Sequence, residues 1–497
     1  MEYTSQKRLS FGEKAGYSLG DMAANLVFQA LMYYQFTFFI GVMGLSPFAA
    51  GTLFLIGRFF DAFTDPMMGF IADRTKTKWG RFRPWLIWSA LPFAGIFWLT
   101  FTSPGWEPTA QLVYAYIMYF LLMAVYTVNN VPYCSLNGVM TADVDERTSL
   151  STFRFVGMTV AQLLVFGFTL PLVSKLGGGD DAKGWSLTMG IFAALTIVLF
   201  LVAFISVKER VQPDPKQKSS PKQDMLDTFK NKPWVILFSA TLMIFIMLVV
   251  RGSSLAPYMQ NYVSAEALTK FFTDWGFVTP VDGVLTPIQK ALDFIGFLIQ
   301  SDLSNANNVA FGVFNLIGIP TTLIGVLLSK PLSMTFGKRT VFVTCLILTA
   351  LSTCWLFFIK GDDINSMFLQ SVSWGLCYGP TIPLLWSMIA DAADFSEWKT
   401  GRRATGFTFA GVVFALKFGL GIGGFIQAGI LGLYGYNPEA LTDKAILGVR
   451  MVTTFYPAIF IIVAAAILLF YPISNKLNHQ IANELEERRK SFGKTPA

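Results

Sequence analysis

Apolar runs of 18 or more residues recur along the whole chain, separated by short polar stretches. That rhythm predicts a bundle of helices that cross a membrane many times. Twelve spans are expected, at roughly 15–43, 47–72, 84–102, 111–138, 150–173, 186–207, 233–261, 308–329, 339–359, 366–390, 404–432 and 450–472. The first run follows Lys7, Arg8 and Lys14 and has no small-residue cleavage site, so it reads as a retained span.

The polar residues inside these runs carry the information. In the second run, Arg58, Asp61 and Asp65 stand where spacings of three and four bring them to one helical face. A carboxylate at the bilayer centre costs about 2.5–3.5 kcal/mol. Two carboxylates and a guanidinium on one span therefore need a polar interior, a partner or a bound ion. A packed ion pair through Arg58 is the plain alternative. The run then leads into a basic loop, Asp73 to Trp85, that must stay in water. A polar face deep in the membrane, followed by a basic turn, reads as an ion pathway in a transporter.

Asp21, Arg154, Arg251 and Lys417 also fall inside spans, and Asn129 and Asn130 precede Pro132 in the fourth. The asparagines either line a cavity or join helices. Tyr33, Tyr126, Tyr133 and Trp386 can lend aromatic faces to a ring-shaped ligand, or serve as plain packing.

Of 497 residues, 53% are hydrophobic and 14% charged, against about 25% charge in soluble proteins. The net charge of +7 suggests nucleic acid only until the charges are placed. Most Lys and Arg fall on one side, which predicts both termini in the cytoplasm and no nucleic-acid partner; the expected location is the plasma (bacterial inner) membrane. Cys134, Cys345, Cys354 and Cys377 all lie in predicted spans, so neither a disulfide framework nor a zinc site is expected. No phosphate-cradling loop or metal cluster appears, and the one histidine, His479, is in the C-terminal tail. An enzyme is not expected.

Two landmarks repeat. Trp79-Gly80-Arg81-Phe82 has a counterpart in Phe336-Gly337-Lys338-Arg339; Met140 to Asp143, closing eleven residues past Pro132, matches Met388 to Asp391 past Pro380. They predict two six-helix halves, 1–207 and 233–475, around a central cavity, joined by a cytoplasmic linker over 208–232 and followed by a tail at 476–497. Arg81, Lys338 and Arg339 are expected to bond helix-end carbonyls and acids such as Asp143 and Asp391 as cytoplasmic latches. Residues 262–310 form an external insertion with a capping-box start at Ser264 and an apolar stripe through Leu285, Ile288, Leu292, Ile295 and Ile299. Gln289, Lys290 and Asp293 interrupt that stripe, which argues against a thirteenth span. The insertion reads either as a lid or as a hairpin on the membrane surface or on neighbouring loops.

Asp61-Ala-Phe-Thr-Asp65-Pro-Met-Met-Gly69 followed by Trp79-Gly-Arg-Phe-Arg-Pro-Trp85 resembles the glycoside–pentoside–hexuronide:cation symporters, a branch of the major facilitator superfamily. The likeness extends through Gly20-Asp21, Tyr126-Thr127, Val131-Pro132-Tyr133, Arg154-Phe155, Ala390-Asp391, Glu397-Trp398-Lys399 and Lys417. It implies an all-α membrane protein with twelve transmembrane helices in two pseudo-symmetric halves, working by alternating access. It also implies coupling-cation ligands at Asp61 and Asp65, helped by Thr127 and Thr64, and sugar contacts at Asp21 and Arg154. Thr64 stands where the family pattern has Asn, Asn130 where it has a second sugar-binding Asp, Cys134 where it has Trp, and Gly20 where it has Lys. Arg251 matches no charge in that pattern.

The expected activity is sugar or glycoside symport driven by Na⁺ or H⁺, with no other cofactor. The expected partners are a small sugar, a monovalent cation and the lipid bilayer, with the protein monomeric. A transporter of lysolipids or other amphiphiles, or a non-transporting solute receptor, are the alternatives. Substrate contact is assigned to Asp21, Asn130, Arg154, Lys417, Tyr126 and Trp386, and gating or structural roles to Arg58, Arg81, Asp143, Arg251, Lys338, Arg339 and Asp391. Lys417 is expected to compensate the Asp61/Asp65 pair while no cation is bound.

Overall fold

The computed structural model describes residues 9–141, 144–210, 228–280, 284–400, 405–438 and 440–474, with 476–478, 480–481 and 483–485. Most of the expected linker, Asp143, and His479 with the end of the tail lie outside the described residues, as does the side chain of Arg58.

Sixteen helices are formed among the described residues. They are α1 (Phe11–Gly41), α2 (Pro47–Arg74), α3 (Arg83–Thr100), α4 (Pro108–Met140), α5 (Val144–Gly177), α6 (Asp181–Ser206), α7 (Lys232–Tyr262), α8 (Ala265–Thr273), α9 (Pro287–Phe294), α10 (Ala306–Phe336), α11 (Lys338–Phe358), α12 (Ile364–Tyr378), α13 (Thr381–Thr400), α14 (Thr405–Leu433), α15 (Asp443–Thr453) and α16 (Phe455–Leu468). Their ends follow capping chemistry. Ser10 caps α1 with a full capping box to Glu13, and Ser46 caps α2 ahead of Pro47. Eight stretches among the described residues are long and apolar enough to cross a membrane by length and composition.

Two of the twelve expected spans are broken. The tenth divides into α12 and α13 at Gly379-Pro380, and the twelfth into α15 and α16 at Thr454, just before Pro457. Proline lacks the N–H that would continue the ladder and crowds the preceding turn. Periodicity alone ran through both positions.

The chain forms two compact units that do not coincide with sequence halves. The first contains residues 1–215, 252–316 and 428–449. There α1 packs chiefly on α5 and α6, α3 on α4 and α6, and α2 on α4. The second contains 216–251, 317–427 and 450–497, where α11 packs on α16, α12 and α13 around Phe342, Leu346, Met388 and Ile461.

The insertion belongs to the first unit. Its helices α8 and α9 have nine and eight residues, too short for a span of about 20. Lys175 at the end of α5 donates to Asp293 at 2.5 Å, Asn308 donates to Ser174 at 2.5 Å, and Phe297 meets the ring of Phe168 at 5.4 Å. The segment thus packs on α5. The capping box forms at Thr286 and Gln289 rather than at Ser264, because Glu266 sits one position too early and accepts from the Ser264 hydroxyl instead.

Candidate functional site

Within the first unit, α1, α4 and α5 bring together four polar residues that are far apart in sequence. Asp21 is 3% exposed. Its Oδ1 accepts from Arg154 Nε at 2.7 Å and its Oδ2 from Asn25 Nδ2 at 3.1 Å. Arg154 Nη2 reaches Cys134 Sγ at 3.6 Å, and that thiol donates to Asn130 Oδ1 at 3.1 Å. Asp21, Arg154, Cys134 and Asn130 are therefore one connected chain of polar contacts. Removing Arg154 would strand the buried Asp21 carboxylate without its cation. The Arg154 side chain keeps 35% exposure, and its pairing with Asp21 uses the Nε edge. The Nη fork is a ready donor to adjacent hydroxyls or a carboxylate.

Tyr133 does not lend a face to a ligand. Its ring is 0% exposed, stacked on Tyr17 with centroids 4.7 Å apart, and its hydroxyl donates to the Tyr17 carbonyl at 2.6 Å. The two asparagines divide the roles open to them. Asn129 is fully buried and donates to Ser89 at 2.8 Å, joining α4 to α3, while Asn130 belongs to the chain above.

The acidic pair lies on α2. Asp61 is buried, and Asp65 stands one turn further on. Thr127 on α4 donates to Asp65 Oδ1 at 2.9 Å, and its oxygen lies 3.5 Å from the hydroxyl of Thr64. Asp65, Thr127 and Thr64 thus present a carboxylate and two hydroxyl oxygens in one place. Hard cations take such oxygen ligands.

The remaining predicted residues are dispersed. Tyr126 packs between the rings of Phe28 and Phe93, and Tyr33 against Phe166. In the second unit, Trp386 stacks parallel to Phe409, and Lys417 is half-buried on α14. Arg251 is buried with its guanidinium 4.3 Å from the ring centre of Trp374, a cation–π contact. Lys338 binds Asp391 at 2.6 and 2.9 Å, and Arg339 donates to the Leu469 carbonyl.

At the other turn the sequence reading missed the acid. Glu209 accepts from the backbone N–H groups of Arg81 (3.0 Å), Phe82 (2.7 Å) and Arg83 (2.8 Å), and it is Arg83, not Arg81, that donates to a helix-end carbonyl, Phe204 O at 2.7 Å. Arg81 lies over the ring of Phe82. Glu209 is 128 residues from Arg81, and no pattern in the sequence links them. Asn25 had a signal, since it follows Asp21 by one helical turn.

Long apolar helices carrying buried charge, and no strand among the described residues, define a helical multi-pass membrane protein. Residues 16–292 and 297–475 match the MFS/sugar transport protein family. The chain belongs to that family, in its glycoside–pentoside–hexuronide:cation symporter branch. It is 32% identical to the inner membrane symporter YicJ of Escherichia coli, over 93% of this chain and 92% of the relative. It is 30% identical to the isoprimeverose transporter of Lactiplantibacillus pentosus, over 96% and 92%. Among solved structures, a D-xylose–proton symporter shares the fold with a TM-score of 0.56 at 12% identity, covering 93% of this chain and 97% of that one. The protein is a transporter, not an enzyme.

Proposed function

We propose that this chain is a Na⁺-coupled symporter of a sugar or glycoside in the bacterial inner membrane, with both termini in the cytoplasm. The observation that carries the reading is that one helix, α4, holds groups of both sites. Thr127 bonds Asp65, while Asn130 and Cys134 join the chain to Arg154 and Asp21. In this reading Asp61 and Asp65 supply the charge for the ion, with Thr127 and Thr64 adding neutral oxygens. A proton needs one carboxylate; the two hydroxyls beside Asp65 favour a metal cation over it. Asp21 and Arg154 bind sugar hydroxyls, and a site built on such groups rejects molecules that lack them. Two relatives named as a glycoside/cation symporter and an isoprimeverose transporter support the substrate class. Lys417, a half-buried charge on α14, is read as a residue of the transport cycle.

The test is uptake of labelled mono- and disaccharides, isoprimeverose among them, into right-side-out vesicles under imposed sodium or proton gradients. Accumulation of at least one glycoside driven by sodium is expected. Asp61→Cys should abolish concentrative uptake while leaving exchange of sugar across the membrane, and Lys417→Ala should weaken the stimulation of sugar binding by the cation. A proton gradient that drives uptake in the absence of sodium would replace Na⁺ with H⁺. No accumulation of any glycoside under either gradient would overturn the reading.

A further inference from the structure

Arg154 is a long, flexible side chain on α5, and something must fix its guanidinium if it is to recognise a ligand. Asp21 holds one edge at 2.7 Å. The other support is aromatic: the guanidinium carbon stands 5.6 Å from the ring centre of Tyr133. That ring is fully buried, backed by the ring of Tyr17 at 4.7 Å and held in plane by the hydrogen bond to the Tyr17 carbonyl. Its edge enters a notch in α1. A Cβ added at Gly20 would lie 2.5 Å from Tyr133 Cε2, 3.1 Å from Cδ2 and 3.4 Å from Ala203 Cβ. Tyr17, Gly20 and Asp21 lie on a single stretch of α1, so the strand of contacts runs from the helix backbone through Tyr133 to the guanidinium.

We propose that Tyr133, seated in the notch at Gly20, is a positioning residue that sets the height of Arg154 above Asp21 and Cys134, and so tunes a site for adjacent sugar hydroxyls. This rests on the reading of Asp21 and Arg154 as substrate ligands. It assigns a purpose to the glycine at position 20: the room a side chain would take is occupied by the tyrosine ring.

Cys134 makes the proposal testable without knowing the substrate. It is exposed, its sulfur accepts from Arg154 Nη2 at 3.6 Å, and cysteines beside a cation react faster. The experiment is the rate of N-ethylmaleimide addition at Cys134 in the purified full chain, followed peptide by peptide by mass spectrometry. It is paired with KM and maximal rate for labelled isoprimeverose in vesicles. Arg154→Gln sets the slow limit. Gly20→Ala and Tyr133→Leu should each slow alkylation at least threefold toward that limit and raise KM about tenfold with a smaller change in maximal rate. Tyr133→Phe, which keeps the ring, should recover most of what Tyr133→Leu loses. Alkylation at or above the wild-type rate in Gly20→Ala and Tyr133→Leu overturns the proposal, and so does an Arg154→Gln variant that alkylates like the wild type. Failure of the wild type to take up isoprimeverose counts against that sugar as substrate, and the alkylation rates then decide the positioning role alone.

Discussion

Trp79–Phe82 and Phe336–Arg339 repeat one sequence idea, a glycine followed by cations, and both glycines are left-handed, with φ +112° at Gly80 and +87° at Gly337. Yet the two turns are held by different chemistry. At the first, the anion is Glu209, and the positive partner is the set of three backbone N–H groups that open α3. At the second, the anion is Asp391 on α13, and the positive partner is the ammonium of Lys338. A helix start carries about half a positive charge and unsatisfied donors, so it can stand in for a lysine. Likeness of sequence between internal repeats therefore fixes the place of a latch without fixing which atoms close it.

The comparison is most directly broken at Glu209. Glu209→Ala leaves three N–H groups of the α3 start without that acceptor and should cost about 2–3 kcal/mol, read as a fall in the thermal unfolding midpoint of the purified protein. A fall no larger than that of Lys338→Ala would show the backbone cradle to be incidental. Next is Gly80→Ala. A left-handed alanine costs about 1–2 kcal/mol, and its Cβ would meet the Glu209 carboxyl at 2.5 Å. Adding Glu209→Ala to it should cost less than the sum of the two, since the clash is gone; strict additivity would contradict the contact. At the second turn, Asp391→Asn should cost about 1 kcal/mol, because the pair is part-exposed. Exchange of the charges, Lys338→Asp with Asp391→Lys, should restore most of it, whereas no exchange can be made at the first turn.

The smallest effect is in acid. Glu13 lies at the start of α1, outside the expected span, and pairs with Arg210, the residue after Glu209. Partial burial works against its charge, but the bonds from Arg210 and the Ser10 backbone outweigh that and hold its carboxyl below the ordinary value of 4.5. A lowered carboxyl stabilises the fold above the ordinary value, and that contribution is lost as the pH falls through the lower, folded value. The thermal midpoint of Glu13→Gln should therefore sit below that of the wild type at pH 7 and converge on it as the pH falls through the lowered, folded value. A constant gap across that range would rule the pairing out.

The spans were legible because nothing else forces such long apolar runs, and the breaks at Pro380 and Pro457 were not, because the runs continue through them. Asp61, Asp65, Asp21 and Arg154 stood out because charge inside an apolar run is costly whatever surrounds it. Their partners were harder. Thr127 and Asn130 are ordinary residues until α2 and α5 come alongside α4, and Tyr133 read as a possible sugar platform because burial is not visible in sequence. Asn129 and Asn130 were indistinguishable as neighbours, yet one helical step of about 100° sends one to Ser89 and the other to Cys134.

The spacing of Thr127 and Asn130 on α4 has a mechanical consequence. Three residues of helix separate them by about 4.5 Å along the axis, and a helix is too stiff to bend over that distance. An ion that draws the Thr127 hydroxyl away from Asp65 would turn or lift the same rigid rod that carries Asn130 and Cys134. Occupancy at one end would then be felt at the other as a change of orientation, and reciprocity requires that the sugar tighten the coupling cation by the factor by which the cation tightens the sugar. A lever one turn long needs no relay of residues across the protein.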